Sequence, residues 1–301
     1  SALTAGFVLI PIFGLWQSLF FIAGAYAACA LVVMFMVEQR DRASKAISRM
    51  QFASSQQLTA WVVFAIIAVG SFTMPSSLGA LQQLKDGETL LFHKEGSSAA
   101  VAVLKRKNGH LKLKVNNTYG LGGTSAEIQE RRMGYLPLLL HENPRNIAFI
   151  GVATGITMSA LNLTDRGQQV ERALAIELLP HVVEAANVFR EYTGNVLSDP
   201  RLEVRIGDGR NILHASDEHF DVITLDLVTP WHASAGSLYT VEFYAEMRDR
   251  LADRGIFCQW LPLYQLGPRE FKIIASTFQS VFPYVQLWRG SMNPRYPMLG
   301  L

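Results

Sequence analysis

Four short stretches carry side chains whose types and spacing could do chemistry. The first is Gly151-Val-Ala-Thr-Gly155, which follows the stiff apolar run NIAFI and precedes a helix-like segment. Gly151 and Gly155 permit a tight turn and a close backbone approach to a ligand, and the helix start behind them offers free N–H groups. A plain strand-to-helix turn accounts for the same residues. The second is Glu177, which ends ALAIE 22 residues beyond Gly155. An acid there can accept both hydrogen bonds of a ribose diol, or can simply be a solvated strand end. The third is Asp208-Gly209 in GDGR, an acid able to meet an adenine amino group, or a surface turn. The fourth is Asp226 in ITLDLVTPWH, an acid after a buried strand and the best candidate for a base or an amine anchor.

These stretches need a sheet to bring them together. From Arg145 onwards, apolar runs alternate with helical segments expected at 156–163, 180–192, 238–251 and 268–282. That alternation implies an α/β fold with a Rossmann-like doubly wound sheet, whose ligands bind at the carboxyl ends of the strands. One candidate then falls at each of four consecutive strand ends, which points to a nucleoside site. A dinucleotide site is the nearest rival, but Ala153 occupies the second glycine position of G-x-G-x-x-G and no basic residue is placed for a pyrophosphate. Serine-nucleophile and zinc readings lack a G-x-S-x-G motif or a His/Cys cluster, so no metal is expected.

Ahead of this domain, 89–115 reads as short alternating runs punctuated by Gly96 and Asn108-Gly109, a β-hairpin signal. A helix at 125–141 follows, expected to break or end near Pro137. Half of the residues are apolar and 17% are charged, with the apolar excess near the N-terminus. Residues 15–37 carry no charge, and neither do 58–74. At 1.5 Å per residue the first run is long enough for a hydrocarbon core of about 30 Å. The expectation is therefore an integral protein of the bacterial inner membrane, the C-terminal part of a larger chain, with lipid bilayer and other membrane subunits or a homo-oligomer as partners. The basic loop 38–49 favours a non-cytoplasmic soluble domain by the positive-inside rule, whereas a nucleoside ligand favours the cytoplasmic face. The net charge of +2 gives no reason to expect nucleic acid. The expected organisation is transmembrane helices over 1–75, a linker over 76–87, a small antiparallel subdomain over 88–123 and the Rossmann-like domain over 124–301.

The order and spacing of LPLLLHENPRNIAFIGVATGIT, AIELLPHVVEAANVF, DPRLEVRIGDGR, FDVITLDLVTPW and SLYTVEFYAEMRDRLADRGIFCQWLPLY resemble the spermidine synthase (polyamine aminopropyltransferase) family, in a branch fused to membrane helices. The resemblance covers about residues 85–301. It implies a class I S-adenosylmethionine-type transferase fold with an N-terminal β-hairpin subdomain. It further implies that decarboxylated S-adenosylmethionine gives up an aminopropyl group to a small amine acceptor. By that likeness Gly151 and Gly155 belong to the glycine-rich loop, Glu177 is the ribose acid and Asp208, with Gly209, lies on the adenine side. Asp226 matches the first acid of the family's D-S-S-D-P and assists deprotonation of the attacking amine. Thr154 stands where the family's loop carries an aspartate, and Thr229 replaces the second acid of D-S-S-D-P. A threonine before glycine can donate to a carboxylate, so intact S-adenosylmethionine and methyl transfer to an unknown acceptor form a second expectation. A catalytically degenerate domain serving as a scaffold subunit of a membrane complex is the alternative.

Overall fold

The computed structural model describes residues 8–44, 62–66, 69–70, 84–96, 98–116, 119–228, 235–293 and 297–301. The chain divides into two units, residues 1–85 with 93–100, and residues 86–92 with 101–301. In the first unit the described structure is mainly helical. A turn of helix, Ile10–Phe13, ends at Gly14, whose φ of 80° lies in the left-handed region, and α1 (Leu15–Ser44) follows.

The expected membrane placement is corrected here. Among the described residues no helix is long and apolar enough to cross a membrane. Freedom from charge over 15–37 was the basis of that expectation, yet a span needs length and apolarity together in one helix. α1 carries Gln17, Ser18 and Tyr26 within the charge-free run, then continues through the charged stretch EQRDR rather than ending before it. Of 58–74, only 62–66 and 69–70 are described.

A four-stranded sheet runs β1 (Thr89–Glu95), β2 (Ala100–Lys105), β3 (Leu111–Val115) and β4 (Tyr119–Gly123) in sequence order. The Asn108-Gly109 turn closes the β2–β3 hairpin, with Val101 opposite Val115 and Lys105 opposite Leu111. Gly109 takes φ 84°, which the turn requires and a β-carbon disfavours.

A seven-stranded sheet holds the rest. Its strands are β5 (Asn146–Ile150), β6 (Arg172–Glu177), β7 (Leu202–Ile206), β8 (Phe220–Leu225), β9 (Leu251–Pro262), β10 (Trp288–Arg289) and β11 (Met298–Gly300). Their spatial order is β10-β11-β9-β8-β5-β6-β7. The five strands from β5 to β9 are parallel, and β11 lies antiparallel to both β9 and β10. The chain runs outward from β5 to β7 and then returns to β8 on the other side of β5. The strand order therefore reverses between β5 and β8, and the cleft of such sheets opens there.

Alternate residues of these strands face opposite layers. Ala148 and Ile150 of β5, with Ile223 and Leu225 of β8, join a core with Phe243, Tyr244 and Met247 of α5 (Val241–Asp249) and Phe278 of α6 (Pro268–Gln279). Leu213 of α4 (Gly209–His214) belongs to the same core. Ile147, Phe149, Ala173 and Ala175 join Leu138 of α2 (Glu127–Leu140), Ala186 of α3 (Pro180–Ala186), Leu161 and Val196 on the other face. Both faces are covered, so the strands read as continuous apolar runs.

Helix α2 runs through Pro137 instead of ending there. Proline has no N–H to give the carbonyl four residues back, which is that of Met133. That carbonyl accepts the indole N–H of Trp260 on β9 at 3.0 Å, and Trp260 is fully buried. A hydrogen bond from the sheet thus replaces the one the helix lacks. One turn earlier, a β-carbon at Gly134 would lie 1.9 Å from the backbone oxygen of Thr157. The helix packs directly on the backbone that follows the Gly151–Gly155 loop. Gly134→Ala is expected to lower the unfolding free energy by about 1–3 kcal/mol through overpacking. Urea denaturation measures this, and a loss within error of zero would mean that the contact yields freely.

Candidate active site

Each predicted residue lies at a carboxyl end of the parallel sheet. The loop after β5 begins with Gly151 at φ 105° and ends with Gly155 at φ 79°, and Ala153 between them is also left-handed, at φ 47°. The loop is pinned from below, since Gly151 N–H donates to Ile176 O at 2.8 Å and Gly155 N–H to Val152 O at 2.8 Å. A β-carbon on Gly151 would come within 3.3 Å of the Asp226 β-carbon, so the glycine lets the ends of β5 and β8 approach each other.

Glu177 organises that loop. One carboxylate oxygen accepts Val152 N–H at 3.0 Å and Ala153 N–H at 3.3 Å, and the other accepts Leu179 N–H at 3.0 Å. The residue is buried at the end of β6. Its carboxylate collects three backbone donors of two neighbouring strand-end loops, which otherwise would lack partners in a region shielded from water.

Asp208 lies exposed after β7 and caps α4, accepting Arg210 N–H at 2.9 Å. Next to it, a β-carbon on Gly209 would sit 2.7 Å from Cγ2 of Ile150, so only glycine lets α4 start this close to the end of β5.

Asp226 follows β8, and its backbone N–H donates to Ile150 O at 3.1 Å. Its carboxylate accepts Leu227 N–H at 2.6 Å and the Thr157 hydroxyl at 3.2 Å. Burial pushes this carboxyl up to about 6, the two hydrogen bonds oppose the rise, and the charge of Glu177 adds to it. Asp226 therefore ionises close to neutrality, which suits a group that takes up and gives up a proton.

Thr154 is buried and its side chain faces α2. Its hydroxyl lies 2.6 Å from Oε2 of Glu130 and accepts Ile156 N–H at 3.2 Å. Glu130 is one of two acids in the first turn of that helix. It is 8% exposed, and Oε1 accepts Gly123 N–H at 3.0 Å. Burial pushes it up to about 8, against the Thr154 and Gly123 hydrogen bonds and reinforced by the charges of Asp226 and Glu127. A periodicity signal was available. Glu130, Met133, Gly134, Pro137 and Leu138 are the buried residues of α2, at helical positions i, i+3, i+4, i+7 and i+8, so an acid occupies the buried stripe. Thr157 had no comparable local signal, because only the fold carries it to Asp226. Thr229, Pro230, Trp231 and His232 lie outside the described residues, and among those described no group of acids, histidines and cysteines could hold a metal ion.

The acids Asp226, Glu177 and Glu130 surround the loop, and the backbone N–H groups are its positive element. The geometry suits a polar neutral or cationic ligand in contact with glycine backbone, with a proton acceptor at the end of β8. Glu177→Ala strands three backbone donors and is expected to cost about 1–3 kcal/mol of stability, more than Asp208→Ala at the exposed cap. Chemical denaturation of the two variants side by side tests this ranking, and equal losses would contradict it.

Comparison with known proteins places this arrangement. A sequence-family model described as "Spermine/spermidine synthase domain" matches residues 127–300. A polyamine aminopropyltransferase of Thermotoga neapolitana is 32% identical over 167 residues, covering 55% of this chain and 54% of that protein. One of Clostridium tetani is 27% identical over 208 residues, covering 65% and 72%. The chain thus spans about half the length of the Thermotoga relatives it matches. Among solved structures, a spermidine synthase from Thermotoga maritima superposes with a TM-score of 0.60 at 22% identity, covering 70% of this chain and 72% of that one. A spermidine synthase in complex with the transition state analogue AdoDATO gives 0.59 at 22% identity, covering 70% and 71%. At this identity the two structures speak for the fold.

Proposed function

Because the chain belongs to the spermine/spermidine synthase domain family, we propose that it is an alkyl transferase of the aminopropyltransferase type. In this reading decarboxylated S-adenosylmethionine lies across the carboxyl ends of β5, β6 and β8, and a small amine is the acceptor. The observation that carries the reading is Asp226, a carboxylate held by Leu227 and Thr157 beside Gly151 and raised to about 6 by burial.

The step this supports is a direct displacement. The lone pair of the acceptor nitrogen attacks the aminopropyl carbon bonded to sulfonium sulfur. The carbon–sulfur bond breaks with its electron pair passing to sulfur, leaving neutral methylthioadenosine. The new nitrogen–carbon bond makes the nitrogen cationic, and Asp226 accepts the proton it gives up. Alignment of nitrogen, carbon and sulfur by a rigid strand-end scaffold supplies much of the acceleration. Glu177 fixes the loop amides and retains lone pairs able to accept ribose hydroxyls, and Asp208 borders the adenine side.

Two features favour the decarboxylated donor over intact S-adenosylmethionine. The Thr154 hydroxyl is engaged by Glu130, and the carboxylates of Glu177 and Asp226 flank the loop. Such a site disfavours a ligand carboxylate and favours an ammonium tail.

The deciding experiment incubates the protein with decarboxylated S-adenosylmethionine and a series of small diamines, and follows release of methylthioadenosine. Asp226→Asn is expected to lower the rate by at least about 100-fold, with methylthioadenosine affinity nearly unchanged. Because the reactive form is the carboxylate, wild-type turnover should fall as pH drops through about 6, approaching tenfold per pH unit below it. A pH-independent rate between 5 and 7 would remove Asp226 as the base. Failure to bind decarboxylated S-adenosylmethionine, S-adenosylmethionine and methylthioadenosine alike in calorimetry would instead leave a catalytically degenerate module.

A further inference from the structure

We propose that Glu130 is a positioning residue for the Gly151–Gly155 loop, a neutral acid that ties Thr154 of the loop to the end of strand β4. This deepens the nucleoside reading of the loop and rests on it for its functional meaning.

The argument starts from the packing. Oε2 of Glu130 lies 2.6 Å from the Thr154 hydroxyl and Oε1 accepts the Gly123 N–H at 3.0 Å, so one carboxyl joins two chain segments about 30 residues apart. The fit is close. A β-carbon at Gly122 would lie 2.5 Å from Oε1, so β4 passes the carboxyl only as glycine. Thr154 Oγ1 also accepts Ile156 N–H, which anchors the first turn after the loop to the same hydroxyl. None of these contacts supplies a positive charge. β4 faces Glu130 with a backbone amide and the loop with a hydroxyl, while Asp226 at the end of β8 and Glu127 on α2 are both acids. An ionised Glu130 would be a buried anion among like charges, which proteins avoid by keeping such a group protonated. The protonated form fits the geometry, because the carboxyl O–H and the Thr154 hydroxyl can share one short bond in either direction.

The sign of the pH effect follows. The acid's value is raised from 4.5 to about 8 in the folded chain. The native state then keeps a proton that the unfolded chain releases, so the stability associated with Glu130 is greatest at acid pH. It falls progressively between about 4.5 and about 8, and the strap itself ionises near the upper end.

Amide hydrogen exchange of the intact chain, expressed as protection corrected for the intrinsic pH dependence, tests the assignment over pH 6–9. In the wild type, protection across 151–156 should fall by about tenfold or more between pH 6 and about 8 and level off above that. Glu130→Gln should abolish that fall, because its amide donates to Thr154 and its carbonyl accepts from Gly123 without ionising. Glu130→Ala should show the low protection at every pH, and Thr154→Val should lose the pH dependence. The same pH dependence in wild type and Glu130→Gln would overturn the proposal, as would wild-type protection in Glu130→Ala at pH 7. Should Glu130→Ala fail to fold, the Glu130→Gln comparison alone decides. Calorimetric titration with methylthioadenosine at pH 7 separates the two readings. Absence of binding by the wild type, with the exchange pattern as expected, removes the nucleoside reading and leaves the strap standing.

Discussion

The structure depends on how closely helix α2 approaches the backbone that follows the Gly151–Gly155 loop. At Gly134 there is no room for a single methyl group against Thr157 O. Three consequences follow from that approach. Glu130, one turn earlier, reaches Thr154. Thr157, on the segment pressed against the helix, is delivered to Asp226. One turn later Pro137 leaves Met133 O free for Trp260, which fastens the helix to β9. A missing methyl, a missing N–H and a buried acid thus act together on one helix face. Close-packed interiors transmit such constraints, because a shift at one contact cannot be absorbed by empty space.

The sheet beneath supplies the other half of the arrangement. The strand order reverses between β5 and β8, and Gly151 and Asp226 meet at the carboxyl ends of these neighbouring strands. The two covered faces hold the strand ends rigidly, and chemistry is left to loops only a few residues long. Within the cleft the acids are differentiated by surroundings rather than by type. Glu177 accepts three backbone donors, Asp226 has two donors and is raised to about 6, and Glu130 is raised to about 8. Asp226 and Glu130 can therefore hold different protonation states at one pH, while Glu177 shapes the loop through its backbone hydrogen bonds.

Much of the fold was legible in local pattern. The hairpin followed from Asn108-Gly109 between alternating runs, because only a left-handed turn residue closes such a ribbon. The parallel strands followed from short apolar runs spaced by helical segments. The readings that changed were those where one property stood for several. An uncharged run near the N-terminus suggested a membrane span, yet the described residues contain no helix that is long and apolar enough. Pro137 suggested a helix end, yet the helix continues because a tryptophan 123 positions further on takes up the unpaired carbonyl.

Residue type and order alone determined which positions could matter. Gly151, Gly155, Glu177, Asp208 and Asp226 were identifiable because strand ends and glycine turns are local properties of the chain. Their pairing was decided only by tertiary structure. Thr154 bonds Glu130 across 24 residues and Thr157 bonds Asp226 across 69. Protonation was decided there as well, since burial in a low-dielectric interior shifts an acid by more than its chemical identity does. A side chain's identity is written in the sequence, whereas its partners and its solvent are set by the segments that fold against it.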